Sequence, residues 1–119
     1  MDAPKTGEFA LIGKSVVIKG ELSGSEDLYV DGQVEGSIEL RNNNLIIGPN
    51  GNVKAIISAK GVVVQGKAEG QITAAERVEL RKSAVLNGDV VTQRITVEEG
   101  AFFKGKIDVQ RDSGKPAGS

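Results

Sequence analysis

Two strings in this sequence, Gly61-Val62-Val63-Val64-Gln65-Gly66-Lys67 and Gly100-Ala101-Phe102-Phe103-Lys104-Gly105-Lys106, have the Gly-x4-Gly-Lys spacing of a phosphate-binding loop. Such a loop works because backbone N–H groups cradle the phosphates at the start of a helix, while a Ser or Thr after the lysine holds magnesium. Here Ala68 and Ile107 follow the lysines and neither string opens a helix, so no nucleotide site is assigned. Glu26 with Asp27, and Glu98 with Glu99, place carboxylates side by side at polar corners. Adjacent acids of this kind serve solubility better than acid–base work. The chain has no His and no Cys, which removes imidazole bases, thiolate nucleophiles, disulfides and the usual zinc sites. The Gly-Gly-x-Gly-x-Asp calcium nonapeptide is absent as well. The expectation is therefore a protein that is not an enzyme, with no catalytic, cofactor-binding or metal residue and no cofactor. Lys plus Arg number 15 and Asp plus Glu 16, so no broad field recommends a nucleic-acid partner.

What the glycine strings do belong to is a repeat. Six units begin at Ala10, Leu28, Leu45, Val62, Val78 and Ile95, spaced 16 to 18 residues apart. Each opens with an apolar pair one residue apart: Ala10 and Ile12, Leu28 and Val30, Leu45 and Ile47, Val62 and Val64, Val78 and Leu80, Ile95 and Val97. Each closes with a second pair: Ile18 and Leu22, Val34 and Ile38, Val53 and Ile57, Ala68 and Ile72, Leu86 and Val90, Phe103 and Ile107. Two residues before each closing member stands a small residue, Gly20, Gly36, Ala55, Gly70, Gly88 or Gly105, where the chain turns or packs tightly. Helical repeats need roughly 33 to 47 residues. Units half that length hold short strands, and the predicted fold is an all-β solenoid of six turns with a core of aliphatic stacks. Four units carry two extra residues, within 13–15, 48–51, 81–83 and 98–100, which are expected at a corner where the core register survives them.

One stretch competes. Thr73–Leu86 is rich in helix formers, begins with a Thr-x-x-Glu capping box at Thr73 and Glu76, and meets Asn87-Gly88 where a C-cap would stand. Val78 and Leu80 nevertheless fall on the repeat columns with registered units on both sides, so strand is assigned. Residues 1–9 and 110–119 are polar, contain Pro4 and Pro116, and read as disordered tails around a solenoid domain at 10–109. There is neither a signal-peptide pattern nor an apolar run near the ~20 residues of a membrane span, so a cytoplasmic location is expected.

With chemistry absent, the ends of the coil become the informative places. A stacked coil satisfies its backbone only between neighbouring turns, so its first and last turns offer unpaired strand edges and a bare slice of core. At the N-terminal end that slice is Ile12, Ile18 and Leu22. At the C-terminal end it is Ile95, Val97, Phe103 and Ile107, with Phe102 expected to point outward by alternation. No flanking amphipathic helix caps either end, and end-to-end polymerisation through strand addition is the functional reading.

The sequence at this point resembles a family, the bactofilins. The resemblance spans roughly 10–109 and rests on Leu11-Ile12-Gly13 with Val17-Ile18-Lys19-Gly20, and on Val30-Asp31-Gly32-Gln33-Val34-Glu35-Gly36 with its echo Val64-Gln65-Gly66-Lys67-Ala68-Glu69-Gly70. It implies a right-handed triangular β-helix that assembles without nucleotide into non-polar filaments through both ends. It also implies a bacterial cytoskeletal scaffold at the inner face of the membrane, with cell-wall enzymes as clients and a role in cell shape. Members often carry an amphiphilic membrane-targeting N-terminus. The segment Met1 to Phe9 departs from that, bearing Asp2 and Glu8, so membrane contact would fall to Met1, Lys5 and Phe9. The competing reading is a non-polymerising soluble β-solenoid binding module, or a catalytically silent relative of the left-handed β-helix acyltransferases, which have similar periodicity but rely on a histidine base.

Overall fold

A computed structural model describes residues 9–110. It contains nine strands: β1 (Phe9–Ile12), β2 (Val17–Ser23), β3 (Asp27–Val30), β4 (Gln33–Ile47), β5 (Asn52–Val64), β6 (Lys67–Leu80), β7 (Val85–Thr92), β8 (Arg94–Val97) and β9 (Phe102–Val109). All ladders are parallel, and each residue pairs with one in the next turn, as in Leu28 with Leu45, Leu45 with Val62 and Val62 with Val78. The chain is thus a β-solenoid of six turns. Thr73–Leu80 lies in β6 and pairs through Val78 with Ile95. Strand prevails over local helix propensity there because a helix would leave the ladders above and below unpartnered.

Each turn has three faces. The first is the short segment 9–12, 27–30, 44–47, 61–64, 77–80 or 94–97. The second and third are one longer strand bent in the middle, at Gly20, Gly36, Gly70, Gly88 and Gly105, all of which have φ between 123° and 145°. A side chain at Gly88 would drive its Cβ into the carbonyl oxygen of Gly70 one turn earlier, so both conformation and space demand glycine. Ala55 makes the same corner in turn three without a positive φ.

The extra residues sit where expected, at the corner between the first and second faces. They form hydrogen-bonded reverse turns, with Val16 N donating to Gly13 O (3.1 Å), Gly51 N to Gly48 O (2.9 Å), Ala84 N to Arg81 O (2.9 Å) and Ala101 N to Glu98 O (3.0 Å). Side chains stitch these longer corners to their neighbours. Asp31 Oδ1 accepts from Asn50 N at 3.0 Å, Glu98 Oε1 accepts from Lys82 N at 3.0 Å, and Ser83 Oγ donates to Gln65 O at 2.7 Å.

The interior consists of aliphatic stacks. In the middle turns Val34, Val53, Val62, Val64, Leu80 and Leu86 are fully buried. A further inward column was not apparent from the repeat. It runs through Leu40, Ala59, Ala74 and Thr92, all buried near the end of the third face.

Candidate functional site

The four core columns run unbroken through the middle turns and open at both ends. At the N-terminal end Ile12 is still buried, Ile18 and Leu22 are half-buried, and Ala10 is exposed. These four, with Leu28 and Leu40, line an apolar depression of about 280 Å³. Their register mates one turn in, Val34 and Ile38, are closed off completely. The C-terminal end is more open. Val97 is 49% exposed and Ile107 39%, whereas Leu80 and Val90 in the preceding turn are buried. Ile95 and Phe103 are half-buried and pack on the core from one side only. Phe102 faces outward at 51% exposure, as alternation requires.

The backbone is open at the same places. β1 and β2 carry partners only in turn two, and β8 and β9 only in turn five. Among the described residues no further strand covers these edges. The final ladder reaches Val109, and Gln110 N still donates to Thr92 O at 2.7 Å. The geometry thus brings Ile12, Ile18 and Leu22 together at one end, and Ile95, Val97, Phe103 and Ile107 at the other, with Phe102 beside them. Four exposed residues of the end turns were missed: Leu11, Val16 and Val17 in the first turn and Val109 in the last. Val109 aligns with buried Thr92; in the sequence nothing but its alternation with Ile107 would have marked it. The proposed membrane residues Met1 and Lys5 lie outside the described residues, and Phe9 is placed by its backbone as the first residue of β1.

The phosphate-loop strings are repeat corners. Gln65 N donates to Ile47 O (2.8 Å), Lys67 N to Gly51 O (3.0 Å) and Phe102 N to Ala84 O (2.9 Å), so these amides are committed to the previous turn. One member of each carboxylate pair is structural. Asp27 Oδ1 accepts from Asn44 N at 2.9 Å, and Glu98 holds Arg81 at 3.0 Å. Among the described residues no group of three or more His, Cys, Asp or Glu is arranged to hold a metal, and no helix is long and apolar enough to cross a membrane.

A family model described as "Bactofilin: Polymer-forming cytoskeletal" matches residues 10–108. The chain belongs to the bactofilin family. Among curated bactofilins of Myxococcus xanthus, BacN is 44% identical over 104 residues, covering 87% of this chain and 91% of its own length. BacO is 40% identical over 99 residues, covering 83% and 78%. BacP is 38% identical over 109 residues that make up 92% of this chain, which spans 45% of BacP's length. A solved bactofilin chain from Thermus thermophilus, reconstructed in double helical filaments, superposes with a TM-score of 0.79 at 30% identity, covering 85% of this chain and 99% of that one. The family is described as polymer-forming and cytoskeletal, and the double helical filaments are those of the Thermus thermophilus chain.

Proposed function

We propose that this bactofilin chain builds non-polar filaments by joining its subunits end to end without nucleotide, and that the filaments act in the cytoplasm as a membrane-associated scaffold organising cell-envelope machinery. The observation that carries the reading is the contrast within single columns. Val64 and Leu80 are sealed while Val97, in line with them, is half exposed. An incoming subunit that continues the stack covers that slice and pairs the free strand edge in the same step. The interface residues are Ile12, Ile18 and Leu22 at one end, and Ile95, Val97, Phe102, Phe103 and Ile107 at the other. No chemical energy is needed, because burial and strand pairing drive the association. The solenoid domain at 10–109 is the polymerising unit.

Negative-stain microscopy and sedimentation of the purified protein, with nucleotide removed by apyrase, test this directly. Filaments that pellet equally with and without ATP or GTP are the expected result. A strict need for nucleotide, or a monodisperse small species at high protein concentration, would overturn it.

A further inference from the structure

The core columns do not all finish alike at the N-terminal end. Ile12, Ile18 and Leu22 close three of them, but the column of Leu40, Ala59, Ala74 and Thr92 has Gly24 as its first-turn member: Ser23 pairs with Glu39, and Gly24 N carries that ladder on by donating to Glu39 O at 3.2 Å. Glycine gives the column no side chain. That gap adjoins the apolar depression of about 280 Å³, whose walls include Leu22, Leu28 and Leu40. A Cβ at Gly24 would rest on Leu40 Cδ2 at 3.6 Å, an ordinary contact, and Gly24 is not one of the positive-φ glycines. Neither space nor strain calls for glycine there, and the missing side chain leaves room for another occupant.

What arrives at this place is the chain itself. In every turn a short stretch joins the last core position before the corner to the first residue of the next first face: five positions from Leu22 to Asp27, six from Ile38 to Asn44, four from Ile57 to Gly61 and five from Ile72 to Arg77. Counting back from Phe9, where β1 begins, the same four to six positions reach Lys5, Pro4 or Ala3, and the first turn's own five selects Pro4.

We propose that residues 3–8 lie across the depression in the free subunit, with Pro4 on Leu22 and Lys5 beside Ser23, as a cap that an incoming subunit must displace. The proposal rests on the end-to-end reading above and adds a brake to it. Tethered through Phe9, the segment meets the depression at an effective concentration of the order of millimolar, above that of a second subunit in dilute solution. Its composition suits a weak cover: Ala3 and Pro4 are small and apolar, while Lys5, Thr6 and Glu8 keep to water. Proline fits only at a strand edge, and it blunts that edge against further strand addition. A second subunit brings a whole slice of aliphatic side chains to the same place and prevails once its concentration is high enough.

The chain has no cysteine of its own, which allows a direct test. Ladder neighbours stand about 4.8 Å apart, within the roughly 4.4 to 6.8 Å that a disulfide spans between Cα atoms. Lys5→Cys with Ser23→Cys should therefore crosslink within one subunit on oxidation, and Lys5→Cys with Lys19→Cys, four positions back along β2, should not. Sedimentation then reads the critical concentration of the oxidised and reduced forms, the wild type, Pro4→Asp and a version lacking residues 1–8. The oxidised Lys5→Cys, Ser23→Cys protein should stay unpolymerised and form filaments on reduction. Pro4→Asp and the shortened protein should polymerise at least about threefold below the wild-type concentration, the factor expected if about two-thirds of free subunits are capped. Failure of the Lys5→Cys, Ser23→Cys pair to crosslink, or equal critical concentrations throughout, overturns the cap while leaving end-to-end assembly intact. A shortened protein that polymerises less readily overturns it too, because the segment would then belong to the junction. If neither the wild type nor the shortened protein forms filaments, the end-to-end reading falls, and the crosslink alone decides whether the segment docks.

Discussion

Phe103 and Val64 both point inward on a coil of stacked strands, yet a charge at each should have opposite consequences. Val64 has a turn on either side and is fully buried. An arginine there would leave an unpaired charge in the core, a loss of several kcal/mol against a total stability of about 5 to 15, and Val64→Arg should not fold. Phe103 has a turn on one side only and is half-buried. Phe103→Arg should keep its β-type circular dichroism and stay monomeric, because desolvating the charge falls on the incoming subunit. Sedimentation velocity separates the two outcomes, and ordinary filaments from Phe103→Arg would remove the C-terminal end from the junction. The corner glycines allow a subtler comparison. Gly88→Ala meets both a φ of 145° and the carbonyl of Gly70, while Gly20→Ala meets a φ of 139° with no atom within 4 Å of its Cβ. In the monomeric Phe103→Arg background, urea unfolding should show Gly20→Ala losing about 1 to 3 kcal/mol to strain and Gly88→Ala losing more. Equal losses would mean that the backbone absorbs the clash.

The second face presents a charge ladder between turns: Lys19 beside Glu35, then Lys54, Glu69, Asn87 and Lys104. Lys54 and Glu69 stand 4.0 Å apart with both side chains more than half exposed, so their worth is small. Glu69→Lys sets like charges opposite one another and should cost about 0.2 to 1 kcal/mol. The loss should vanish in 1 M salt, and one that survives there would point to packing rather than charge. This level of the molecule also shows what the sequence reveals and what it conceals. Ile57, Ile72 and Val90 announce their column because each is a bulky aliphatic residue two places after a corner. Leu40, Ala59, Ala74 and Thr92 do not, because alanine and threonine look alike in a core and on a surface, and the corner after them varies in length. The outward members of the first face are concealed for the opposite reason. Leu28-Tyr29-Val30, Leu45-Ile46-Ile47 and Val62-Val63-Val64 are continuous apolar runs, so polarity does not mark Tyr29, Ile46 and Val63 as outward, and only the repeat, which puts their neighbours on the core columns, does so. Thr73–Leu80 could be assigned as strand despite its composition, because register with its neighbours outweighs local propensity. The ends were visible as candidate surfaces, but Val109 lies open because its ladder stops at the last turn while its mate Thr92 is buried, and Val17 because alternation with Ile18 turns it outward like its mate Gln33.

Taken as a filament, the molecule multiplies whatever each copy carries. Inserting Met1 and Phe9 into a bilayer contributes about 1.5 to 3 kcal/mol each, and Lys5 at most about 1 on an anionic surface, while Asp2 and Glu8 oppose them. A single segment of this kind is marginal. Many on one polymer are not, since avidity adds about 10² to 10⁴. Any membrane binding should therefore need the polymer: in liposome flotation, which leaves free filaments at the bottom, the wild type should rise with the vesicles and neither Phe103→Arg nor a version lacking residues 1–9 should. Equal binding by the monomer would refute the avidity argument, and unchanged binding after the deletion would place membrane contact elsewhere on the chain. The direction of the backbone bonds has a mechanical consequence. Every ladder joins a residue to its counterpart one turn along, so the hydrogen bonds lie parallel to the axis. Tension on the ends therefore pulls on them a row at a time, as in opening a zip, and not on all rows at once as in shearing. Each turn that opens turns about 5 Å of coil into roughly 55 Å of slack chain. A stretched fibre of such subunits would lengthen by yielding locally at its outermost turns before any covalent link bears the load, and the same turns could rewind when the load is released.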